Sequence, residues 1–174
     1  MKHIENETLL LRALEPEDVA FLYEWENDTT VWPVTSTFIP FNRTTLLKYA
    51  QSVQDIFAER QYRFVIVEKE KNQAIGFIDL FDFDPVHQRA GVGILIAGEE
   101  NRGKNYGTEA LNLLAGYGKN VLFLHQIYAH IAADNKRSVA LFEKCGFLCC
   151  GTKKQWLKTT SGHCDEHMYQ LILQ

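Results

Sequence analysis

Apolar residues recur along this chain in two rhythms, one of period two and one near 3.6, which separate strands from helices. Leu9-Leu10-Leu11-Arg12-Ala13-Leu14 reads as an opening strand. Pro16-Glu17-Asp18 marks a helix start, with proline early and acids in the first turn, and Val19, Leu22 and Tyr23 continue it as a stripe. Leu46, Leu47, Ala50, Val53, Ile56 and Phe57 share helical spacing and predict one helix from Arg43 to Arg60. Phe64–Glu68 and Ala74–Phe81 predict two strands around the polar turn Glu70-Lys71-Asn72-Gln73, and Asp84-Pro85 predicts the next turn. An apolar strand, Val92–Ala97, enters a short polar loop. A helix follows from Thr108 to about Phe123, with Ala110, Leu114, Tyr117 and Val121 on one face. The β-rich run Gln126–Ile131 precedes another helix. Asn135 or Asp134 can cap its start, Val139 and Phe142 share its buried face, and Gly146 stops it with Phe147 beyond.

The loop between the strand Val92–Ala97 and its helix carries Arg102, Gly103, Lys104, Asn105, Tyr106, Gly107 and Thr108. A glycine-bearing loop that opens a helix presents free backbone N–H groups and the positive end of the helix dipole, which suit a phosphate or pyrophosphate. Arg102 and Lys104 add charge of the right sign. A P-loop would need Gly-Lys followed by Ser or Thr after its spacer, and that pattern is absent. A dinucleotide loop would need a glycine triplet between parallel strands, whereas the strands before this loop read as antiparallel hairpins.

The remaining pattern is Arg or Gln, two residues, Gly, one residue, Gly or Ala. Arg102–Gly107 follows it with one departure, Asn105 where a glycine is usual. Asn tolerates left-handed backbone angles better than other non-glycine residues. The loop resembles the acyl-CoA pyrophosphate loop of the GNAT superfamily of N-acetyltransferases. The segment Asn135-Lys136-Arg137-Ser138 through Glu143-Lys144-Cys145-Gly146-Phe147 resembles the later strand-helix-turn unit of the same superfamily. The likeness runs from about Leu9 to Leu173. Within the superfamily the chain is most similar to bacterial spermidine/diamine N-acetyltransferases, then to ribosomal-protein N-terminal acetyltransferases. The opening Leu-Arg-Ala-Leu-Glu-Pro-Glu-Asp-Val is shared by both groups and does not separate them.

The resemblance implies an α/β (α+β) chain with one GNAT domain over residues 1–174. Its sheet is expected to be mixed and mostly antiparallel, flanked by helices and splayed between the strands at 92–97 and 126–132. It also implies acetyl-CoA. The pyrophosphate would lie on the N–H groups of Gly103 to Thr108, and the backbone of Ile94, Leu95 and Ile96 would pair with the pantetheine arm as a strand edge does. Asn135 matches a pantetheine-contacting Asn of the family; as a plain helix cap it reads equally well. Many family members place an acidic Tyr four residues before the Gly of the Gly-Phe pair. Here that cofactor-side position is Phe142, which has no proton to give.

Length and composition change this picture little. One domain of 174 residues is long enough to bury a good core. The chain shows no repeat, no low-complexity tract and no apolar run that would span a bilayer. Its start does not read as a signal peptide, so a cytoplasmic enzyme is expected, without membrane partners. The net charge of −4 speaks against non-specific nucleic-acid binding. Cys145, Cys149, Cys150 and Cys164 lack paired metal spacing, so free thiols and no metal are expected.

The chemistry needs a base for an amine that arrives protonated, and help for a departing thiolate. Asp79, Asp82, Asp84 and His87 lie on a strand and turn that can supply the base. Asp79 sits between Ile78 and Leu80 in a buried strand, which asks either for a catalytic role or for a structural one as partner of an Arg or a backbone N–H. Asp82 falls on the opposite face unless a bulge intervenes. Tyr128 and Tyr106 can substitute for the missing acid, Tyr106 reads equally as packing beside the loop, and a thiolate leaves well enough that no acid at all is a third reading. Cys145, without a matched His, is a poor acyl carrier. Glu24, Glu26 and Asp28, beside Trp25 and Trp32, can hold a cationic acceptor by ion pairing and cation–π contact, with Asp79 and His87 nearer the thioester. The same residues also read as a solvated helix face over core tryptophans. The expected acceptor is a primary amine, a polyamine or diamine such as spermidine, or else a peptide amino terminus. A weakly catalytic acyl-CoA-binding or polyamine-sensing module is the reading of another class, and a homo-oligomer is compatible with either.

Overall fold

Strand β3, Tyr62–Glu68, lies between two cores. Phe64 and Ile66 face one, Val65 and Val67 face the other, and all four are buried. β-Branched and aromatic residues suit such a two-sided strand, and each fully buried side chain contributes about 1.5–3 kcal/mol. A computed structural model describes residues 4–30, 32, 37, 39–52, 54–159 and 162–173. Besides β3, the described strands are β1 (Ile4–Glu5), β2 (Leu9–Ala13), β4 (Gln73–Asp84), β5 (Arg89–Ile96), β6 (Gln126–Ala132), β7 (Leu148–Thr159) and β8 (Gly162–Ile172). The α-helices with described bounds are α1 (Val19–Glu26), α2 (Arg43–Gln51), α3 (Ile56–Glu59), α4 (Tyr106–Asn120) and α5 (Lys136–Lys144). No described helix is long and apolar enough to cross a membrane.

One sheet runs in the order β1-β2-β3-β4-β5-β6-β8-β7. Every neighbouring pair is antiparallel except β5 and β6. Helices α4 and α5 cover one face, where Leu111, Leu114 and Phe142 join Ile78, Leu80 and Ile127. Helices α1 and α2 cover the other, where Leu22, Leu46 and Ala50 meet Val65 and Phe77.

The expected helix over 43–60 is two helices. Ser52 turns extended and its hydroxyl bonds Tyr49 O at 2.7 Å, while Asp55 caps a new start by accepting from Phe57 N at 2.9 Å. Short polar side chains that bond their own backbone break the repeat that the apolar spacing suggests. Val53 lies outside the described residues. Helix α4 starts two residues earlier than expected and ends at Asn120. Val121 therefore leaves the buried face and is exposed, as is Phe123, and the helix buries Ala110, Leu111, Leu114 and Gly118 instead. Asn135 caps α5 by accepting from Ser138 N, and Gly146 follows it at φ +86°, where L side chains are strained.

Candidate active site

The parallel pair is short. β5 and β6 are bonded only through Arg89↔Gln126, Ala90↔Ile127 and Gly91↔Tyr128. Beyond Gly91 and Tyr128 the two strands part, as expected of a splayed sheet. β5 stays bonded to β4 through Ile96, and from Val92 onward no strand among the described residues pairs with its other edge. The splay lies between strands whose C-terminal ends lead to the starts of α4 and α5.

A cleft of about 750 Å³ fills the wide end of this V, on the side covered by α4 and α5. Its size is that of a ligand pocket. Ile94, Leu95 and Ile96 form one wall, and Gly103, Asn105, Tyr106, Gly107 and Thr108 form another. Asn105 adopts φ +69° and Gly103 φ +72°, so the loop turns through left-handed angles at the two positions the sequence allows. No side chain caps α4. Its first N–H groups and dipole are thus left for an anion. Lys144 Nζ donates to Asn105 Oδ1 at 2.7 Å and pins the loop. A Cβ on Gly107 would stand 3.1 Å from a methyl of Leu141, so glycine lets α4 and α5 approach beside the cleft.

Several expected residues fall here and some do not. Arg102 lines the cleft near Glu99, with an Nη1–Oε1 separation of 3.6 Å, whereas Lys104 is exposed and off the cleft wall. Phe142 is not in the cleft. It is buried against Phe147, ring centroids 4.9 Å apart, because α5 turns Leu141 toward the cleft instead. Arg137 and Lys144 line the cleft and supply cationic charge that the loop reading missed. Arg137, Leu141 and Lys144 at i, i+4 and i+7 mark that face in the sequence. Asn135 lines the cleft as well as capping α5, its carbonyl oxygen used by the cap.

The opposite side of the sheet carries a second cleft of about 590 Å³ at the apex of the V. Tyr128 and His130 project into it from β6, since Ile127, Ala129 and Ile131 point to the α4 side. Strand β4 bulges between Phe81 and Asp84, with Asp82 at φ +47°. The bulge brings Asp82 to the Tyr128 side, and Tyr128 Oη donates to Asp82 Oδ2 at 3.3 Å. Burial, then the Asp82 carboxylate, holds the Tyr128 phenol above its ordinary pKa. Asp84 lines the same cleft and accepts from the N–H groups of Val86 and His87. His87 itself is exposed at the tip of the turn and lines neither cleft.

Asp79 has a structural partner, and of the two kinds expected it is an arginine. Arg63 Nε and Nη2 donate to its two oxygens at 2.8 Å each, and Arg63 Nη1 pairs with Glu26. Burial opposes the charge on Arg63, but the two carboxylates outweigh it and raise the guanidinium pKa. The acidic cluster at the end of α1 does not assemble as a helix face. Glu26 is turned inward to Arg63. Asp28 lies past the end of α1 and accepts from Thr30 N and Oγ1. Glu24 lines a separate cleft with Trp25 and Lys71. Trp32 Nε1 donates to Glu26 O at 2.9 Å and is tied to the helix end.

A sheet splayed at one parallel pair, an uncapped glycine-loop helix at the mouth and a tyrosine at the apex define an acyl-CoA-dependent transferase. The chain belongs to the acetyltransferase (GNAT) domain family, which residues 8–148 match. It is 34% identical over 145 residues to spermidine N(1)-acetyltransferase of Vibrio cholerae, covering 82% of this chain and 80% of that one. It is 31% identical over 140 residues to spermidine N(1)-acetyltransferase of Escherichia coli K12, covering 79% and 71%. Its structure superposes on that of spermidine N-acetyltransferase from Vibrio cholerae in complex with CoA and spermine, with a TM-score of 0.86, 26% identity and 97% of each chain covered. The molecule is therefore an N-acetyltransferase, and acetyl-CoA is its cosubstrate.

Proposed function

We propose that this enzyme acetylates a primary amino group of a polyamine such as spermidine, in a ternary complex with acetyl-CoA. The observation that carries the reading is the apex of the V. A cleft holding Asp82 and Asp84 lies there on one side of the sheet, and the cofactor-sized cleft opens further along β5, from Ile94 to Ile96, on the other. Carboxylates beside the thioester suit an acceptor with several ammonium groups. The names of the relatives support the same substrate class.

In this reading the N–H groups of Gly103 to Thr108 bind the pyrophosphate, with Arg102, Arg137 and Lys144 as countercharges. The free edge at Val92–Ile96 and the Asn135 amide hold the pantetheine arm. Tyr128, kept protonated by its surroundings, donates to the departing thiolate. It takes over the task for which Phe142 has no proton. Thiol release should be followed with acetyl-CoA and a panel of polyamines, diamines and peptides with free amino termini. Turnover is expected with spermidine or spermine well above that with peptides. A parent protein that turns over peptides and no polyamine would refute the assignment.

A further inference from the structure

His130 stands beside Tyr128 at the acceptor cleft, and nothing so far gives it a task. The two residues alternate along β6 and their rings lie 5.5 Å apart, edge to face. Tyr128 is the last residue of β6 paired with β5, so His130 flanks the first stretch of the gap. The His130 side chain is 30% exposed, open to the cleft yet seated. Its Nδ1 lies 3.5 Å from Glu166 Oε2. Glu166 is buried, and its carboxylate is fixed by Lys153 Nζ at 2.7 Å. A carboxylate at Nδ1 favours the tautomer with its proton there and its lone pair on Nε2.

The other bases near the apex are engaged. Asp79 gives both oxygens to Arg63. Asp82 accepts from Tyr128, and Asp84 accepts from backbone N–H groups and Arg89. Among the described residues no partner engages Nε2 of His130. We propose that His130, oriented by Glu166, is the general base that deprotonates the acceptor ammonium. This rests on the acceptor cleft assigned above.

The protons balance. The ammonium loses one proton to His130 Nε2, which passes it to solvent. The free amine nitrogen forms its bond to the acetyl carbon as the carbon–sulfur bond breaks. The nitrogen's second proton replaces the one that Tyr128 gives to the thiolate. The products are an amide, a thiol and one proton in solution. The charged or titrating groups that face His130 are Tyr128 on its own strand, Glu166 on β8, Lys153 on β7, Asp82 and Asp84 on β4, Arg89 on β5, and Arg60.

The test compares parent, His130→Gln and His130→Ala over pH, with acetyl-CoA affinity measured by calorimetry. The variants should bind acetyl-CoA as the parent does. Their kcat/KM for spermidine at neutral pH should fall by about 10²-fold or more. The deficit should narrow as pH rises toward the amine's own pKa, near 10. Added imidazole should restore turnover to His130→Ala. A variant whose pH profile runs parallel to the parent's, without imidazole rescue, overturns the role of His130. A parent that acetylates no polyamine refutes the proposed substrate instead. The same pH comparison on whichever amine it accepts then decides His130, and a parent inert toward every amine overturns both.

Discussion

Asp79 can be assigned by one perturbation. Arg63→Met removes a guanidinium whose side chain is 17% exposed and leaves the carboxylates of Asp79 and Glu26, 21% and 16% exposed, without their partner. Breaking a buried ion pair from one side costs about 3–5 kcal/mol. The residual solvent access trims this to about 3 kcal/mol. Cation–π contacts with Phe77 and Tyr49 are lost as well, but the methionine stem keeps most of the packing. For a chain of this length 1 kcal/mol moves Tm by roughly 2–4 °C, so Arg63→Met should melt roughly 6–12 °C lower. Asp79→Asn should cost less, because Arg63 keeps Glu26. The double variant Arg63→Met, Asp79→Leu should be more stable than the sum of its parts, since no lone charge remains. Thermal melts followed by circular dichroism give these numbers. Assayed well below its Tm, Asp79→Asn should retain kcat within about tenfold, whereas loss of a general base costs about 10²-fold or more. A melting temperature unchanged by Arg63→Met, together with a collapse of kcat in Asp79→Asn, would refute the structural role.

Gly107→Val should weaken acetyl-CoA binding by at least about tenfold, or about 1.4 kcal/mol, in a protein that calorimetry still shows to be folded. Tyr128→Phe should lower kcat by about 10²-fold or more while the KM for acetyl-CoA stays near that of the parent in steady-state assays. Burial alone would raise the Asp18 carboxyl, but Arg12, bonded to it at 2.7 and 2.8 Å, holds it below the ordinary carboxylate range. A depressed folded pKa means stability present at neutral pH and lost as pH falls through it. Denaturant titrations should therefore show Asp18→Asn less stable than the parent at pH 7, with the gap closing under acid conditions below pH about 4. Burial pushes the Cys145 thiol up despite Lys144 nearby, so mass spectrometry after incubation with acetyl-CoA alone should find no acetyl adduct on it.

Most of the architecture was legible because it rests on local periodicity. The hairpin of β3 and β4, the strand into the glycine loop and the capped helix α5 all follow from apolar spacing and end signals. Apolar spacing was blind to the break at Ser52–Asp55, since Leu46, Ala50 and Phe57 at i, i+4 and i+11 keep one register across it while side-chain bonds to the backbone decide the outcome. The site was less legible because it depends on which strand lies beside which. Asp82 reaches Tyr128 only through a bulge, and β4 and β6 are far apart in sequence. Glu26 looked like a surface charge beside Glu24, and its partner Arg63 lies on β3, 37 residues further along the chain. Position 142 was placed by motif alone. The one-residue difference between Phe142 and Leu141 separates core from cleft, as a helix rotates about 100° per residue.

The strand gap beyond Gly91 and Tyr128 also bears on how firmly the molecule is held together. The open edge of β5 is an unfinished ladder of N–H and C=O groups that no described strand pairs, which leaves them to water or to a ligand. Any molecule that completes the ladder binds the folded chain and not the unfolded one. At a hundredfold excess over its Kd it adds about 2.7 kcal/mol to the unfolding free energy. That contribution would fall where the sheet is least continuous, at the seam where β5 and β6 share three paired positions.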